Sequence, residues 1–204
     1  MSIAADQALA EDPTTSDEVL FGRLSHRDWH VRWSAAQNPG AGDAVRLAAL
    51  ATGDKHLASA VGQLGDTLSL EVRDAVCAHP RREGREGLAL TANDRTTLDR
   101  LVADPDPKVR AAVAQPDHRP ADLMRLLARD RRAEVRAAVA ASTTIPDDLA
   151  LELLADRSAV VRWSLLTMRD GDLRFARALV DDPDEMNRAH ARFMLFQAGE
   201  RAEH

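Results

Sequence analysis

The chain has 204 residues, a net charge of −6, and an aromatic content of only 3% with no tyrosine. Its single cysteine, Cys77, excludes an internal disulfide framework and any zinc or iron–sulfur site built on four cysteines. The acidic balance argues against nucleic-acid binding over the whole surface, because phosphate neutralisation requires basic side chains. Alanine, leucine, valine and arginine predominate, and the apolar aromatic runs typical of strands are missing, so composition predicts an all-α protein.

Residues 1–10 lack a basic segment followed by an apolar core, so no signal peptide is predicted, and residues 1–14 are expected to form a flexible tail. The first helix is expected to begin at residues 15–18, where the sequence TSDE forms a capping box before Val19 and Leu20. No stretch approaches 18 uninterrupted apolar residues, which predicts that no segment spans a membrane and that the protein is cytoplasmic.

A repeat of 26 residues follows along the chain. The dipeptide Val-Arg occurs at residues 31–32, 72–73, 109–110, 135–136 and 161–162, and the last three copies are 26 apart. Residues 54–63 keep this register, whereas Val72-Arg73 is 11 residues out of phase. The sequence therefore predicts an irregularity over 65–92, with an exposed loop at 79–84.

The C-terminal half contains four units in strict register. Each opens on a leucine, has an aspartate three residues later, and has an arginine six residues after that. The aspartates are Asp104, Asp130, Asp156 and Asp182, and the arginines are Arg110, Arg136, Arg162 and Arg188. Apolar residues at i, i+3 and i+4 place two short helices in each unit. The pattern predicts an α-solenoid of about seven stacked short helix pairs over residues 15–198, followed by a C-terminal tail at 199–204.

The motif L-x-x-D-x-x-x-x-V-R-x-x-V-A followed by P-x-x-L resembles the leucine-rich repeat variant, a HEAT-like α-helical repeat family. The resemblance is strongest over 94–178, extends to 16–64 and 179–196, and is poor over 65–92. It implies that paired short helices stack into a right-handed superhelix. Some members of this family carry a cysteine-rich iron–sulfur segment, which a chain with Cys77 alone cannot form, so no cofactor is expected.

The resemblance also implies a role for the repeated aspartates and arginines. In HEAT-like repeats such residues bond between layers, so we interpret them as a structural ladder. Arg32 and Arg73 are grouped with the four ladder arginines on the Val-Arg pattern. The alternative is that these aligned arginines follow a phosphate backbone, which would not require a matching aspartate series. Arg119 falls between helices and is expected to contribute little.

Three tryptophans are the candidate binding residues. Trp33 and Trp163 both directly follow an aligned arginine, and Trp29 lies one helical turn before Trp33. Large aromatic side chains are favoured anchors of protein interfaces, although filling a gap in the packing is an equal alternative. His26 and His30 have the i, i+4 spacing of metal ligands but lack an evident third ligand, so no metal site is predicted.

No catalytic motif is present: the sequence contains neither G-x-S-x-G nor H-E-x-x-H, and we predict no enzyme. The leading hypothesis is a non-catalytic scaffold that binds a protein partner through the surface of the solenoid. The alternative is a nucleic-acid-binding protein or a DNA glycosylase-like enzyme, because some HEAT-like proteins are glycosylases with a cleft lined by tryptophan and arginine.

Overall fold

The computed structural model of the chain describes residues 2–199. Within these residues every regular element is helical, and the prediction of an all-α fold is confirmed. None of the described helices is long and apolar enough to cross a membrane. The predicted tail at 199–204 lies outside the described residues except for Gly199, which follows the last helix.

Fifteen short α-helices and one turn of 3-10 helix make up the described chain. The first eight helices are α1 (Ile3–Glu11), α2 (Asp17–Arg23), α3 (Trp29–Gln37), α4 (Asp43–Ala51), α5 (Lys55–Gly62), α6 (Leu70–Ala78), α7 (Arg82–Thr91) and α8 (Arg95–Leu101). The 3-10 turn, Gly65–Thr67, precedes α6. The remaining helices are α9 (Pro107–Ala114), α10 (Ala121–Leu127), α11 (Ala133–Ala140), α12 (Asp147–Leu154), α13 (Ala159–Met168), α14 (Leu173–Leu179) and α15 (Glu185–Gln197).

The chain divides into two compact units after Val109, within α9. In the first unit, α1, α3, α5 and α7 pack on one another in succession, and so do α2, α4, α6 and α8. In the second unit, α11 packs on α13, α13 packs on α15, and α12 packs on α14. Side chains between the two layers, such as Val135, Leu149 and Leu165, are buried. Each unit is thus a stack of short helix pairs, as a helical repeat requires.

A repeated arginine–aspartate contact joins consecutive repeats of the second unit. The guanidinium of Arg136 donates to both carboxylate oxygens of Asp156, with Nε–Oδ2 at 2.6 Å and Nη2–Oδ1 at 2.9 Å. Its Nη1 also donates to the backbone carbonyl of Asp130 at 2.8 Å. Arg162 repeats the arrangement with the carboxylate of Asp182, at 2.6 and 2.8 Å, and with the carbonyl of Asp156. Each arginine therefore binds its own turn and the turn of the next repeat.

The ends of this series follow the same geometry. Arg110 donates to both oxygens of Asp130, at 2.7 and 3.0 Å. Arg188 donates to the backbone carbonyls of Asp182 and Pro183. The sequence interpretation of a structural ladder thus corresponds to bidentate, charge-assisted hydrogen bonds, which are stronger than neutral ones.

The ladder aspartates also shape their own turns. In Asp130, Asp156 and Asp182, Oδ1 accepts the backbone N–H two residues later at 2.8 Å. Burial opposes the ionisation of Asp156, but the hydrogen bonds from Arg136 and from the Ser158 N–H hold its pKa below the ordinary value. The pKa of Asp182 is lowered mainly by its hydrogen bond from Arg162. These carboxylates are therefore ionised and fully engaged within the fold.

The grouping of Arg73 with the ladder arginines is wrong. Arg73 lies on α6, among the even-numbered helices, and pairs with Asp94 at 2.6 Å. Asp104 is instead bound by Arg85 of α7, with Nε–Oδ2 at 2.6 Å and Nη2–Oδ1 at 3.3 Å. Arg85 also donates to the carbonyl of His79, six residues earlier, as the other ladder arginines do. The Val-Arg pattern misses Arg85 because a glycine precedes it and it lies one residue out of the 26-residue register.

Arg32 holds the corresponding place on α3. Its Nη1 donates to the carbonyl of His26 at 2.9 Å and its Nη2 lies 3.3 Å from Asp54. Arg119 lies between α9 and α10, as expected, but its side chain is buried and its Nε donates to the carbonyl of Val113 at 2.9 Å, so the expectation that it contributes little is not supported.

The segment 65–92 departs from the repeat because two helices meet without an arginine between them. The position on α5 that corresponds to Arg32 is Ala58. There α5 and α7 approach to backbone contact: a Cβ atom on Gly62 would lie only 2.1 Å from the carbonyl oxygen of Gly84. Close crossings of this kind require glycine, because any side chain would force the helices apart.

The prediction of an exposed loop at 79–84, in the same region, is wrong. Only residues 79–81 connect α6 to α7, and both His79 and Gly84 are buried. The Nε2 atom of His79 lies 3.1 Å from the carbonyl oxygen of Leu50, which holds this connection against α4. Glycine and arginine residues that resemble a loop in sequence therefore belong to a tightly packed helix start.

The predicted N-terminal tail at 1–14 is wrong for residues 3–11, which form α1. Ser2 caps the helix through its hydroxyl, and Ala10 is fully buried against α3. Asp6 is held by Arg23 at 2.8 Å. The side-chain amide of Asn38 donates to the carbonyl of Ala10 at 2.8 Å. Sequence analysis missed this helix because its buried side is made of alanine and a paired aspartate instead of leucine or valine.

Candidate binding surface

The even-numbered helices of the second unit carry ion pairs on their exposed side, here termed the even face. Arg125 of α10 lies 2.7 Å from Asp148 of α12. Arg174 of α14 lies 3.2 Å from Asp147 of α12. Both pairs connect successive even-numbered helices, so the charges of this face are largely satisfied within the protein.

The odd-numbered helices of the second unit expose a different set of side chains. This surface, the odd face, is formed by the outward residues of α11, α13 and α15. They include Glu134, Ala138, Ala141, Val160, Trp163, Ser164, Thr167, Met186, His190 and Phe193. Apart from Glu134 and His190 these residues are small or uncharged, and the large apolar side chains among them lie on α13 and α15.

An aromatic row crosses the odd face from α13 to α15. The Trp163 ring lies 5.1 Å from the ring of His190, and His190 lies 6.5 Å from that of Phe193 in a stacked arrangement. Val160 and Met186, which occupy equivalent positions of α13 and α15, are 60% and 65% exposed, and Phe193 is 54% exposed. Trp163 and His190 are half-buried, and a group of apolar side chains of this kind marks a site of interaction more often than an isolated apolar residue does.

A cavity of about 480 Å³ opens at the end of this row, beside Phe193, between the α13–α14 turn and α15. Leu173, Phe193 and Met194 form its apolar lining, while Asp170 and Gln197 contribute polar atoms. The α13–α14 turn passes through Gly171, whose φ of 95° lies in the left-handed region that favours glycine. The volume is within the range of sites that hold a small ligand or a side chain.

Trp29 and Trp33 come together in the first unit, with their rings 6.3 Å apart and edge to face. Trp29 is 47% exposed and lies against His30, whereas Trp33 is half-buried. The Trp33 indole donates to Gln37 at 2.9 Å, and Gln37 donates in turn to the carbonyl of Ala60 on α5. Trp33 thus helps to connect α3 with α5, and Trp29 offers the more accessible surface.

The two histidines with metal-ligand spacing do not converge. His26 Nε2 lies 3.5 Å from Asp6, while His30 is largely exposed beside Asp28. Among residues 2–199 no group of three or more side chains suited to hold a metal ion is found. Cys77 is half-buried on α6, and burial raises the pKa of its thiol, which disfavours the reactive thiolate.

Sequence reasoning identified Trp163 but missed the residues that surround it. Val160 and Met186 occupy the repeat position that is Glu134 in the preceding unit, and Phe193 occupies the position of Thr167. The sequence does show a change from charged or polar residues to apolar residues at these repeat positions, and the structure places these positions on the outside of the helices. Finding it required knowledge of which helix side is exposed, because apolar residues at helical spacing otherwise predict core.

No protein-family model matches the chain, and no curated protein sequence matches it. A solved structure described as a leucine-rich repeat variant with a novel repetitive protein structural motif is 22% identical and has a TM-score of 0.40. The match covers 95% of this chain and 88% of that one. That structure is described as a leucine-rich repeat variant, the family that the repeat motif of this chain resembles.

Proposed function

We propose that the protein is a non-catalytic binding scaffold and that it contacts a protein partner through the odd face of the second unit. The observation that carries this proposal is the aromatic row of Trp163, His190 and Phe193, flanked by exposed Val160 and Met186. Aromatic and methionine side chains are enriched at protein interfaces, where rigid rings supply contact area at a low entropic cost.

The contrast between the two faces supports the odd face as the contact surface. Burying the even face would require desolvation of its arginine–aspartate pairs, which is costly. The odd face between α11 and α13 carries alanine and serine, so a partner can approach the backbone closely there, and the aromatic row provides anchors beside it. This combination of a surface of small residues and a neighbouring aromatic row suits an amphipathic helix or a similar apolar segment.

The ladder geometry favours a protein partner over nucleic acid. Arg136 and Arg162 each direct their donors to a carboxylate and a carbonyl of the protein. A phosphate backbone would have to displace buried aspartates to reach them. Since phosphate contacts supply most of the affinity for nucleic acid, the net charge of −6 argues in the same direction.

The test is affinity capture of partners from cells of the source, compared between variants that keep the fold. Trp163→Ala and Phe193→Ala remove anchors from the odd face. Leu126→Ala removes a 57% exposed leucine from the even face and is the matched control. We expect the two odd-face variants to lose at least tenfold in captured partner, the scale of an interface hot spot, while the control retains it.

Two results would overturn the proposal. One is full retention of every partner by both odd-face variants at unchanged melting temperature. The other is tight binding of duplex DNA at a salt concentration of about 150 mM, which would favour the nucleic-acid alternative.

A further inference from the structure

We infer that the cavity beside Phe193 accepts a lysine side chain of the protein partner, an inference that rests on the proposed function of the odd face. The cavity continues the aromatic row on α15, so a segment lying along the row would bring one of its side chains to the opening. Three features of its lining, namely charge, aromatic surface and shape, decide which side chain fits.

The charge of the lining is negative. Asp170 is exposed at the cavity, and among the described residues no ion pair or hydrogen bond engages its carboxylate. Most other acidic groups nearby are already engaged: Asp172 is paired with Arg174, and Asp147 with Arg169 and Arg174. The described lining contains no lysine or arginine. A cationic group in the cavity would therefore gain a counter-ion without displacing an existing pair.

The aromatic and apolar lining suits a long aliphatic stem with a charged end. Phe193 and His190 are among the residues that line the cavity, and Leu173 and Met194 add apolar residues to the lining. A lysine side chain buries its methylene groups against such surface while its ammonium remains near polar atoms. An ammonium over the face of an aromatic ring also gains a cation–π interaction. Gln197, whose side chain carries an amide oxygen that can accept a hydrogen bond, also lines the cavity.

The experiment uses two small probes that differ in charge alone. N-acetyl-lysine methylamide is compared with N-acetyl-norleucine methylamide, which has the same linear stem without the ammonium. Binding to the full chain is measured from amide chemical shifts in ¹H–¹⁵N NMR spectra. We expect millimolar binding of the lysine probe with shifts at Gly171, His190 and Gln197, and binding of the norleucine probe weaker by about fivefold, as for an exposed ion pair.

Two variants test whether the carboxylate of Asp170 causes the difference in affinity between the two probes. Asp170→Asn is expected to bring the lysine probe down to the affinity of the norleucine probe, while leaving the melting temperature unchanged because Asp170 is exposed. Asp148→Asn, an exposed aspartate of α12 outside the cavity, is the matched control and should leave both affinities unchanged.

Two outcomes would overturn the inference. One is equal affinity for the two probes, and the other is the absence of a shift with either probe at tens of millimolar. Neither affects the proposed function, which depends on partner loss in Trp163→Ala and Phe193→Ala. Conversely, retention of partners by those variants would overturn the proposed function even if the lysine probe binds.

Discussion

The contribution of the buried ladder to stability can be tested directly because the protein surface also carries an arginine–aspartate pair between repeats. Arg136 and Asp156 are 2.6 Å apart with side chains only 7% and 8% exposed. Arg125 and Asp148 are 2.7 Å apart with side chains 41% and 65% exposed. Both pairs join residues of successive repeats in the second unit. The substitutions Arg136→Ala and Arg125→Ala therefore differ mainly in the burial of the charge that they leave behind.

The expected loss for Arg136→Ala follows from what the arginine binds. Its removal breaks two bonds to the Asp156 carboxylate and one to the Asp130 carbonyl. Stranding a buried charge costs about 3–5 kcal/mol. We expect about 3 kcal/mol, at the lower end of that range, because Asp156 keeps its bond from the Ser158 N–H. Arg125→Ala should produce no measurable change, since water replaces the lost partner of an exposed carboxylate.

The assay is urea denaturation followed by circular dichroism at 222 nm, with midpoint and slope determined for each variant. A second comparison separates the stranded charge from lost packing. The double variant Arg136→Ala with Asp156→Asn should recover part of the loss, because asparagine is neutral and can still accept the bond from Ser158. Equal midpoints for Arg136→Ala and Arg125→Ala, or no recovery in the double variant, would refute the reasoning.

Three further predictions follow from the interior of the fold. The ladder aspartates have folded pKa values below the unfolded value of about 3.9, so their contribution to the free energy of unfolding is present above about pH 4 and is lost as the pH falls through the folded values. Urea midpoints should therefore fall steeply below pH 4. A midpoint that stays constant down to pH 2 would contradict this. Gly62→Ala should destabilise the first unit by about 3 kcal/mol or more through a backbone clash, whereas Gly22→Ala, with open space around its Cβ position, should be neutral or stabilising by up to about 1 kcal/mol. Trp33→Phe should cost about 1 kcal/mol through the lost bond to Gln37, while Trp29→Phe should not; thermal melts of the two variants that coincide would show that the indole bond contributes nothing.

The repeat could be read from sequence because its period is enforced by chemistry. In the second unit, Arg110, Arg136 and Arg162 each bind an aspartate twenty residues later, and Arg136 and Arg162 also bind a carbonyl six residues earlier, so the register is kept there. Where this constraint is absent, prediction failed. Position 58 carries alanine instead of arginine, and α5 and α7 approach each other until Gly62 and Gly84 are in contact. The register then shifts, and Asp104 is bound by Arg85 instead of Arg73.

The candidate site was predictable only in part, for a geometric reason. Trp163 departs from an alanine-rich repeat position, and that departure is visible in sequence. Phe193 and Met186, in contrast, lie on a helix whose apolar residues cover most of its circumference, and sequence periodicity cannot decide which of them face the core. The structure makes the distinction, since Met194 and Leu195 are buried while Met186 and Phe193 are more than half exposed.

The ladder and the odd face depend on each other through the same helices. On α13, Arg162 is buried and fixes the distance and rotation of the helix relative to α15 through Asp182. The Arg162–Asp182 bond therefore also fixes the position of the neighbouring residue Trp163 and its contact with His190 on α15. A partner that binds the aromatic row, as proposed, would therefore contact a surface whose geometry depends on the buried Arg162–Asp182 ion pair. Loss of Arg162 should then weaken partner binding even where the helices remain folded, because the spacing of Trp163 and His190 would no longer be held.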